Sequence, residues 1–152
     1  MIVGFPPVYD ENSKILILGS MPSVKSLEAS FYYMHPRNRF WWVMEEVLGC
    51  PVPPDPAGRT ALLLQHGVGL WDVLAACERK GSLDSAIKNP QPNPIDKLPH
   101  ISSIPIFVNG GAAERYFKCY FPTFSATRLP STSPANAGGF SLEPWLELKK
   151  YL

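Results

Sequence analysis

Four short strand-like runs restrict the fold of this chain more than any other feature. The first, ILIL at residues 15–18, is wholly apolar and stops at Gly19, which is typical of a strand buried on both faces of a parallel sheet. The others are residues 68–71, 105–108 and 126–129. Helical patterns alternate with these runs. The sequence therefore predicts an α/β fold in which helices cover both faces of a parallel sheet.

The clearest helical pattern follows the aromatic segment at residues 31–35. Apolar residues recur at helical spacing from Phe40 and stop at Gly49, and Pro36 is predicted as the first helical residue. This start places Asn38 in an exposed first turn, where its amide is available to a ligand. Further helices are predicted at residues 59–66, 112–121 and 141–152. Rigid loops are predicted at the proline clusters 51–56, 90–94 and 130–134, and a further loop at 75–84.

Length, charge and cysteine content narrow the class of protein. A chain of 152 residues is predicted to form one domain, residues 1–152. The net charge of +1 does not by itself indicate a nucleic-acid binder. Cys50, Cys77 and Cys119 form no CxxC pair, so no metal site is predicted and free thiols in a reducing cytoplasm are expected. Neither a secretion signal nor a membrane-spanning run is recognisable.

Two small-residue segments and one amide follow the predicted strands. The turn GSMPS at residues 19–23 comes directly after the first strand, and ligands of open α/β sheets bind beyond the carboxyl ends of the strands. Asn109 ends the third strand, and its amide can donate and accept in one plane, as reading a base edge requires. The loop PSTSPANA at residues 130–137 carries three hydroxyls that suit a phosphate backbone.

The runs GSMPSVKS and YYMHPRNRFW together resemble the first motif region of the uracil-DNA glycosylase superfamily. Within it, the chain is most similar to the hypoxanthine-DNA glycosylase branch, and PSTSPANA resembles the second motif of the superfamily. Met21 stands where mismatch-specific uracil enzymes have Asn and classical uracil enzymes have Asp. The resemblance covers essentially the whole chain. It implies a three-layer α/β/α sandwich with a central four-stranded parallel sheet.

The resemblance also implies roles for individual residues. Asn38 is expected to be catalytic and to orient the attacking water, and no cofactor or metal is expected. Tyr33 is expected to stack on a flipped base, and Asn109 to read its edge. The base-binding set is Gly19, Ser20, Met21, Pro22, Tyr33 and Asn109. The DNA-binding set is Ser23, Lys25, Lys80, Ser82, Ser131, Thr132, Ser133 and Asn136.

Each of these roles has a structural alternative. Asn38 could cap a helix, and Asn109 could form an Asn-Gly turn. The loop at 75–84 could be a solvated turn, and the loop at 130–137 a Ser/Pro turn. His35 could assist the leaving base or serve only the helix start.

The implied function is a monofunctional DNA glycosylase, a monomer that takes damaged DNA and hydrolyses the bond to a deaminated base, and the base that the resemblance implies is hypoxanthine. The turn motif contains no lysine, which disfavours a Schiff-base lyase; Lys25 is the nearest. Two alternatives remain. One is a glycosylase acting on uracil or mismatched thymine, and the other is a non-catalytic DNA-binding module that uses its aromatic residues only for stacking.

Overall fold

The computed structural model describes residues 1–152 and contains a four-stranded parallel sheet flanked by helices. Its four strands are β2 (Ile15–Gly19), β3 (Val68–Asp72), β6 (Ile106–Asn109) and β7 (Thr127–Leu129). Across the sheet they lie in the order β3-β2-β6-β7. The predicted three-layer α/β/α sandwich is confirmed, and all four predicted strands are present within one or two residues of the expected positions.

The register of the parallel strands brings several chain segments to one edge. Gly19 pairs with Asp72, and Asn109 pairs with Leu129. Because the carboxyl ends of all four strands lie on this edge, the segments that follow them meet there. Both β2 and β3 are buried along their whole length, as the continuous apolar runs predicted.

A second, antiparallel sheet was not predicted. It has the order β1-β4-β5 and contains β1 (Ile2–Val3), β4 (Leu74–Glu78) and β5 (Lys88–Pro92). The prediction of a loop over residues 75–84 is therefore wrong for its first four residues, and part of the proline cluster at 90–94 is strand. Prolines fit β5 because it pairs only with β4, so that a missing N–H interrupts no second ladder.

The helices are α1 (Val24–Ala29), α2 (Phe40–Leu48), α3 (Pro56–Gln65), α4 (Gly111–Tyr120) and α5 (Glu143–Leu146). Gly49 ends α2 in the left-handed conformation, as predicted. The predicted start of this helix at Pro36 is wrong. The N–H of Arg39 donates to Thr132 O at 3.0 Å, which directs the backbone away from a helical path before Phe40.

The C-terminal segment differs from the single helix predicted for residues 141–152. After α5 the chain continues as a 3₁₀ helix over Glu147–Tyr151. Trp145 in α5 and Leu148 in the 3₁₀ helix are both fully buried. The Trp145 indole N–H also donates to Pro130 O at 2.9 Å and fixes this segment beside the loop after β7.

One apolar core of 28 buried residues joins the parallel sheet to the helices around it. It includes β2 and β3, the inner face of α2, and Trp145 and Leu148 near the C-terminus. A smaller cluster contains Met21, Leu74 and Cys77. None of the helices is long and apolar enough to cross a membrane.

Candidate active site

A cavity of about 280 Å³ opens at the carboxyl edge of the parallel sheet. The segments after β2, β3, β6 and β7 line it, together with the aromatic segment before α2. The structure brings most of the predicted site residues together here: Gly19, Ser20, Met21, Pro22, Ser23, Tyr33, Asn38, Ser82, Asn109, Ser131, Thr132 and Ser133. His35 also lines the cavity.

Three predicted DNA-binding residues lie outside this cavity. Asn136 lines an adjoining groove that also contains Arg128, Ser131 and Ser133. Lys25 is exposed on α1 and pairs with Glu28 at 3.7 Å. Lys80 is exposed in the turn after β4.

Tyr33 forms one wall of the cavity and has an unusual backbone conformation. Its φ is +53°, which is rare for a large side chain and is the kind of local strain that often accompanies functional sites. Its ring stacks on Phe40 at a centroid distance of 4.2 Å, so that Phe40 covers one face, and Tyr33 also lines the cavity. The buried Ser26 fixes the segment, because its hydroxyl accepts the N–H of Met34 at 3.0 Å.

The hydroxyl of Tyr33 is buried without a hydrogen-bond partner. Burial raises the pKa of this phenol above its ordinary value and the negative charge of Asp72 raises the pKa further, whereas the neighbouring Asn109 side chain lowers it. Tyr33 is therefore a neutral side chain that offers an aromatic face and an unused polar atom.

Asn38 forms a hydrogen bond at the start of α2 and also lines the cavity. Its Oδ1 accepts the N–H of Phe40 at 2.9 Å, so that Asn38 satisfies one of the free amides at the start of α2. This bond leaves one lone pair of Oδ1 and the amide N–H groups for the cavity. The amide is thus held in one orientation before any ligand arrives.

Asn109 is joined to the loop after β7 by two hydrogen bonds. Its Nδ2 donates to Thr132 Oγ1 and its Oδ1 accepts the N–H of Thr132, each at 3.0 Å. Thr132 is fully buried, so that its hydroxyl holds Asn109 instead of facing solvent. One N–H and one lone pair of Asn109 stay free for a ligand.

The rest of the loop, which we call the rim loop (residues 131–136), is braced by its own side chains. Ser131 Oγ accepts the N–H of Ser133 at 3.2 Å, and Ser133 Oγ accepts the N–H of Ala135 at 3.2 Å. Asn136 Nδ2 donates to Ser131 O at 3.0 Å. Gly110 leaves room for this loop, because a Cβ there would lie 2.8 Å from that of Ser131.

The turn after β2 is held against the segment that follows β4. Ser20 Oγ donates to Asp84 Oδ1 at 2.7 Å, and Ser82 Oγ accepts the N–H of Val24 at 2.9 Å. The guanidinium of Arg79 donates to Pro22 O, so that this cation points inward rather than toward solvent. Ser23 caps α1 through the N–H of Ser26.

Asp72 is the main cavity residue to which the sequence assigned no role. It ends β3, is only 4% exposed and has no hydrogen-bond partner for Oδ2. Burial raises the pKa of Asp72 to about 7, with the charge of Asp84 adding to the increase and Arg79 opposing it. The available signal was a carboxylate directly after an apolar strand.

Gly19, Tyr33 and Asp72 lie together at the inner end of the cavity, and we call them the pocket floor. A Cβ on Gly19 would lie 2.5 Å from Asp72 Oδ1 and 2.6 Å from the Tyr33 hydroxyl. A side chain at position 19 would therefore displace one or both of these polar groups. No three His, Cys, Asp or Glu side chains converge to form a metal-binding cluster.

The fold and the cavity define an α/β protein that can hold one planar group at the strand ends. A model of the uracil DNA glycosylase superfamily matches residues 6–150, and the chain belongs to this superfamily. It is accordingly a DNA glycosylase, an enzyme that acts on DNA.

Individual relatives support this assignment. A protein of Methanosarcina acetivorans named hypoxanthine DNA glycosylase is 37% identical over 139 residues, covering 88% of this chain and 87% of the relative. A protein of the same name from Methanosarcina barkeri is 42% identical over 91 residues, covering 59% of this chain and 58% of the relative. A solution NMR structure from Methanosarcina acetivorans, described as a candidate uracil DNA glycosylase, has a TM-score of 0.82 at 33% identity and covers 97% of this chain and 96% of its own.

Proposed function

We propose that this enzyme removes hypoxanthine from DNA by flipping deoxyinosine into the cavity and hydrolysing its N-glycosidic bond. The observation that carries the proposal is the cavity itself, where one free face of Tyr33 and the two fixed amides of Asn38 and Asn109 converge at the strand ends. Its volume of about 280 Å³ lies at the lower end of small-ligand sites, which suits a single nucleoside. The names of the two Methanosarcina relatives favour hypoxanthine.

In this proposal Tyr33 and Asn109 recognise the flipped base. The base stacks on the Tyr33 face that Phe40 does not cover, and the free N–H and lone pair of Asn109 contact its edge. The turn Gly19, Ser20, Met21 and Pro22 encloses it. Because Thr132 already fixes Asn109, little side-chain entropy is lost when the base binds.

Asn38 orients the attacking water in this proposal. The bond from Phe40 fixes the amide, and its remaining lone pair accepts a hydrogen bond from water. Met21 cannot hold a water, and its side chain packs toward Leu74 and Cys77. An amide is not a base, so Asn38 contributes position and orientation rather than proton abstraction.

The groove beside the cavity is the proposed path of the DNA backbone. Ser131, Ser133 and Asn136 line it, and Arg128 adds a positive charge. Ser23, Ser82, Lys25 and Lys80 are the further proposed contacts. No lysine lines the cavity, which favours hydrolysis over formation of a Schiff base.

We also propose that the enzyme works as a single-domain monomer in the cytoplasm. One apolar core of 28 residues extends from Val8 to Leu148, which supports a single domain. All three cysteines are unpaired, which fits a reducing compartment. Sedimentation of the enzyme with and without a short duplex tests the monomer: a protein mass of two chains in either sample would contradict it.

The deciding experiment compares duplexes that contain deoxyinosine, deoxyuridine, deoxyxanthosine or a G·T mismatch. Each is incubated with the enzyme in the presence and absence of a chelator, and abasic sites are then cleaved with alkali. We expect cleavage to be fastest at deoxyinosine and insensitive to the chelator. Faster cleavage at deoxyuridine or G·T would favour the uracil or thymine alternative. Binding without cleavage of any duplex would favour the non-catalytic module.

A further inference from the structure

The pocket floor contains more unused hydrogen-bonding capacity than base stacking requires. Tyr33 Oη and Asp72 Oδ2 are both buried without partners, although buried polar groups in folded proteins are nearly always paired. Both residues line the cavity. An unpartnered carboxyl at this place points to a ligand that supplies the missing interaction.

The backbone fixes Asp72 in this position. Gly19 lies beside it in the parallel pairing of β2 and β3, and the absent Cβ of Gly19 leaves Asp72 Oδ1 uncovered. On the other side, Asn93 Nδ2 donates to the backbone oxygen of Asp72 at 2.9 Å. The carboxyl group is therefore oriented by rigid strands rather than by a mobile loop.

The groups around Asp72 favour its protonated form. Asp84 brings a second negative charge from the segment after β4, and Tyr32 and Tyr33 are uncharged neighbours from the aromatic segment. Arg79 is the opposing cation; its Nε donates to Gly81 O and its Nη2 to Pro22 O, whereas its Nη1 is buried without a partner. Burial is the largest of these influences, and together they raise the pKa of Asp72 to about 7.

The other polar groups of the cavity do not combine these properties. Amides and serine hydroxyls are not acids near neutral pH. His35 lines the cavity, but its Nδ1 accepts the N–H of Arg37 at 3.1 Å and it lies outside the pocket floor.

We propose that Asp72 is the acid of the reaction and gives its carboxyl proton to N7 of the departing purine. The proposal rests on the proposed hypoxanthine activity. Hypoxanthine shares with guanine two acceptors, O6 and N7, on the edge remote from the sugar. A proton on N7 withdraws electrons from the ring, so that N9 leaves more readily.

The oxygen of water forms a bond to C1′ as the N9–C1′ bond breaks, and the electron pair of the broken bond goes to N9. The proton of Asp72 goes to N7, which makes the departing base neutral. The water loses one proton, which passes through solvent and restores the carboxyl group of Asp72. The net reaction consumes one water and releases hypoxanthine and an abasic sugar.

The test measures single-turnover cleavage between pH 5 and 9 on deoxyinosine and on 7-deaza-2′-deoxyinosine, which has no N7 acceptor. The parent enzyme should be fast on deoxyinosine below pH 7 and slower above it, because only the protonated carboxyl can act. Asp72→Asn should cleave deoxyinosine roughly 10² to 10³ times more slowly than the parent, and its rate should no longer fall as the pH rises above 7. The 7-deaza substrate should be equally slow with both enzymes.

Asp84→Asn provides a second test that leaves Asp72 in place. It removes a negative charge that raises the pKa of Asp72, so the alkaline decline should move to lower pH, while the amide oxygen still accepts from Ser20. Asp96→Asn, at an exposed carboxylate away from the cavity, is the control and should match the parent in rate and pH profile.

Asp72 is not the acid if Asp72→Asn cleaves deoxyinosine with the parental rate and pH profile. Transfer to N7 is wrong if the 7-deaza substrate is cleaved as fast as deoxyinosine by the parent, or if Asp72→Asn slows both substrates equally. An unshifted profile in a folded Asp84→Asn would also overturn the proposal. A parent enzyme without any activity on deoxyinosine would instead reject the proposed function.

Discussion

The two sides of the cavity satisfy their polar groups in opposite ways. In the pocket floor, Tyr33 Oη and Asp72 Oδ2 have no partners, and the backbone of Tyr33 is in the left-handed region. In the rim loop, Ser131, Thr132 and Ser133 each accept or donate a hydrogen bond within the chain. The difference indicates that the floor is arranged for a ligand at a cost in stability, whereas the rim loop is a stable support.

The largest expected effect concerns the stability cost of Asp72. The pKa of Asp72 is raised to about 7 in the folded protein, against an ordinary value of 3.8 for an aspartate carboxyl. Between these two values the unfolded chain loses a proton that the folded chain keeps. Stability should therefore fall by about 4 kcal/mol as pH rises from 4 to 7, and stay level above pH 7.

Urea unfolding across this pH range measures the effect. Asp72→Asn should lose this contribution to the pH dependence and be more stable than the parent at pH 8. Asp96→Asn, which replaces an exposed carboxylate, should behave as the parent does. If the stability of the parent and of Asp72→Asn depended on pH in the same way, Asp72 would not destabilise the folded protein at neutral pH.

Asn38 is part of neither the pocket floor nor the rim loop. Its Oδ1 accepts the N–H of Phe40 at the start of α2, and the residue also lines the cavity. Asn38→Ala should slow single-turnover cleavage by roughly 10² to 10³, as expected when one preorganised polar group is lost. Losing the bond to Phe40 should cost about 1 kcal/mol of stability. Asn38→Asp should keep that bond and retain part of the activity, with a changed pH dependence.

Asp55→Ala is the matched control for Asn38→Ala. Asp55 accepts the N–H of Gly58 at 2.8 Å at the start of α3, and it lies outside the cavity. Its loss should lower stability by a similar amount without changing cleavage by the folded enzyme. Asn38 has no role in the chemistry if both variants lose activity only in proportion to unfolded protein.

Tyr33 tests whether the floor acts through its ring or its hydroxyl. Tyr33→Ala should weaken processing of the flipped base by about 1 to 3 kcal/mol, because one stacking surface is lost. Tyr33→Phe should largely restore activity and should not reduce stability, since the missing hydroxyl had no partner. If Phe were as poor as Ala in the cleavage assay, the hydroxyl rather than the ring would be the functional group.

The smallest expected effect lies in the rim loop. Thr132→Val removes the acceptor of Asn109 Nδ2 and keeps the bond from the backbone N–H to Asn109 Oδ1. Stability should fall by about 1 kcal/mol, because a partly buried donor loses its partner. Thr123→Val, at an exposed threonine, is the control for thermal unfolding. If Thr132→Val lowered stability no more than Thr123→Val does, Thr132 would not stabilise the rim loop.

The sequence predicted the parallel sheet because its signal is local. The strands β2 and β3 are short, mainly apolar runs and are buried along their whole length. The start of α2 was missed because it depends on a bond from Arg39 to Thr132, a residue distant in the chain. The second sheet was missed because β5 contains Pro90 and Pro92, which normally indicate a loop.

The sequence named residues that the structure places around one cavity, but it did not predict how their side chains are connected. Most of the residues proposed from the motifs do line one cavity. The sequence could not reveal that Thr132 forms hydrogen bonds with both Nδ2 and Oδ1 of Asn109, or that Asp72 is buried beside Gly19. Both facts arise from the register of β2, β3, β6 and β7, which no local pattern encodes.

The proline-rich strand β5 has a consequence for how this protein behaves at high concentration. It forms an outer edge of the small sheet, where unpaired backbone groups could recruit a strand from another molecule. Pro90 and Pro92 remove two of its five amide donors, and Lys88 adds a charge to the same short strand. The edge is thereby a poor template for intermolecular β-pairing, and the chain is protected there from aggregation.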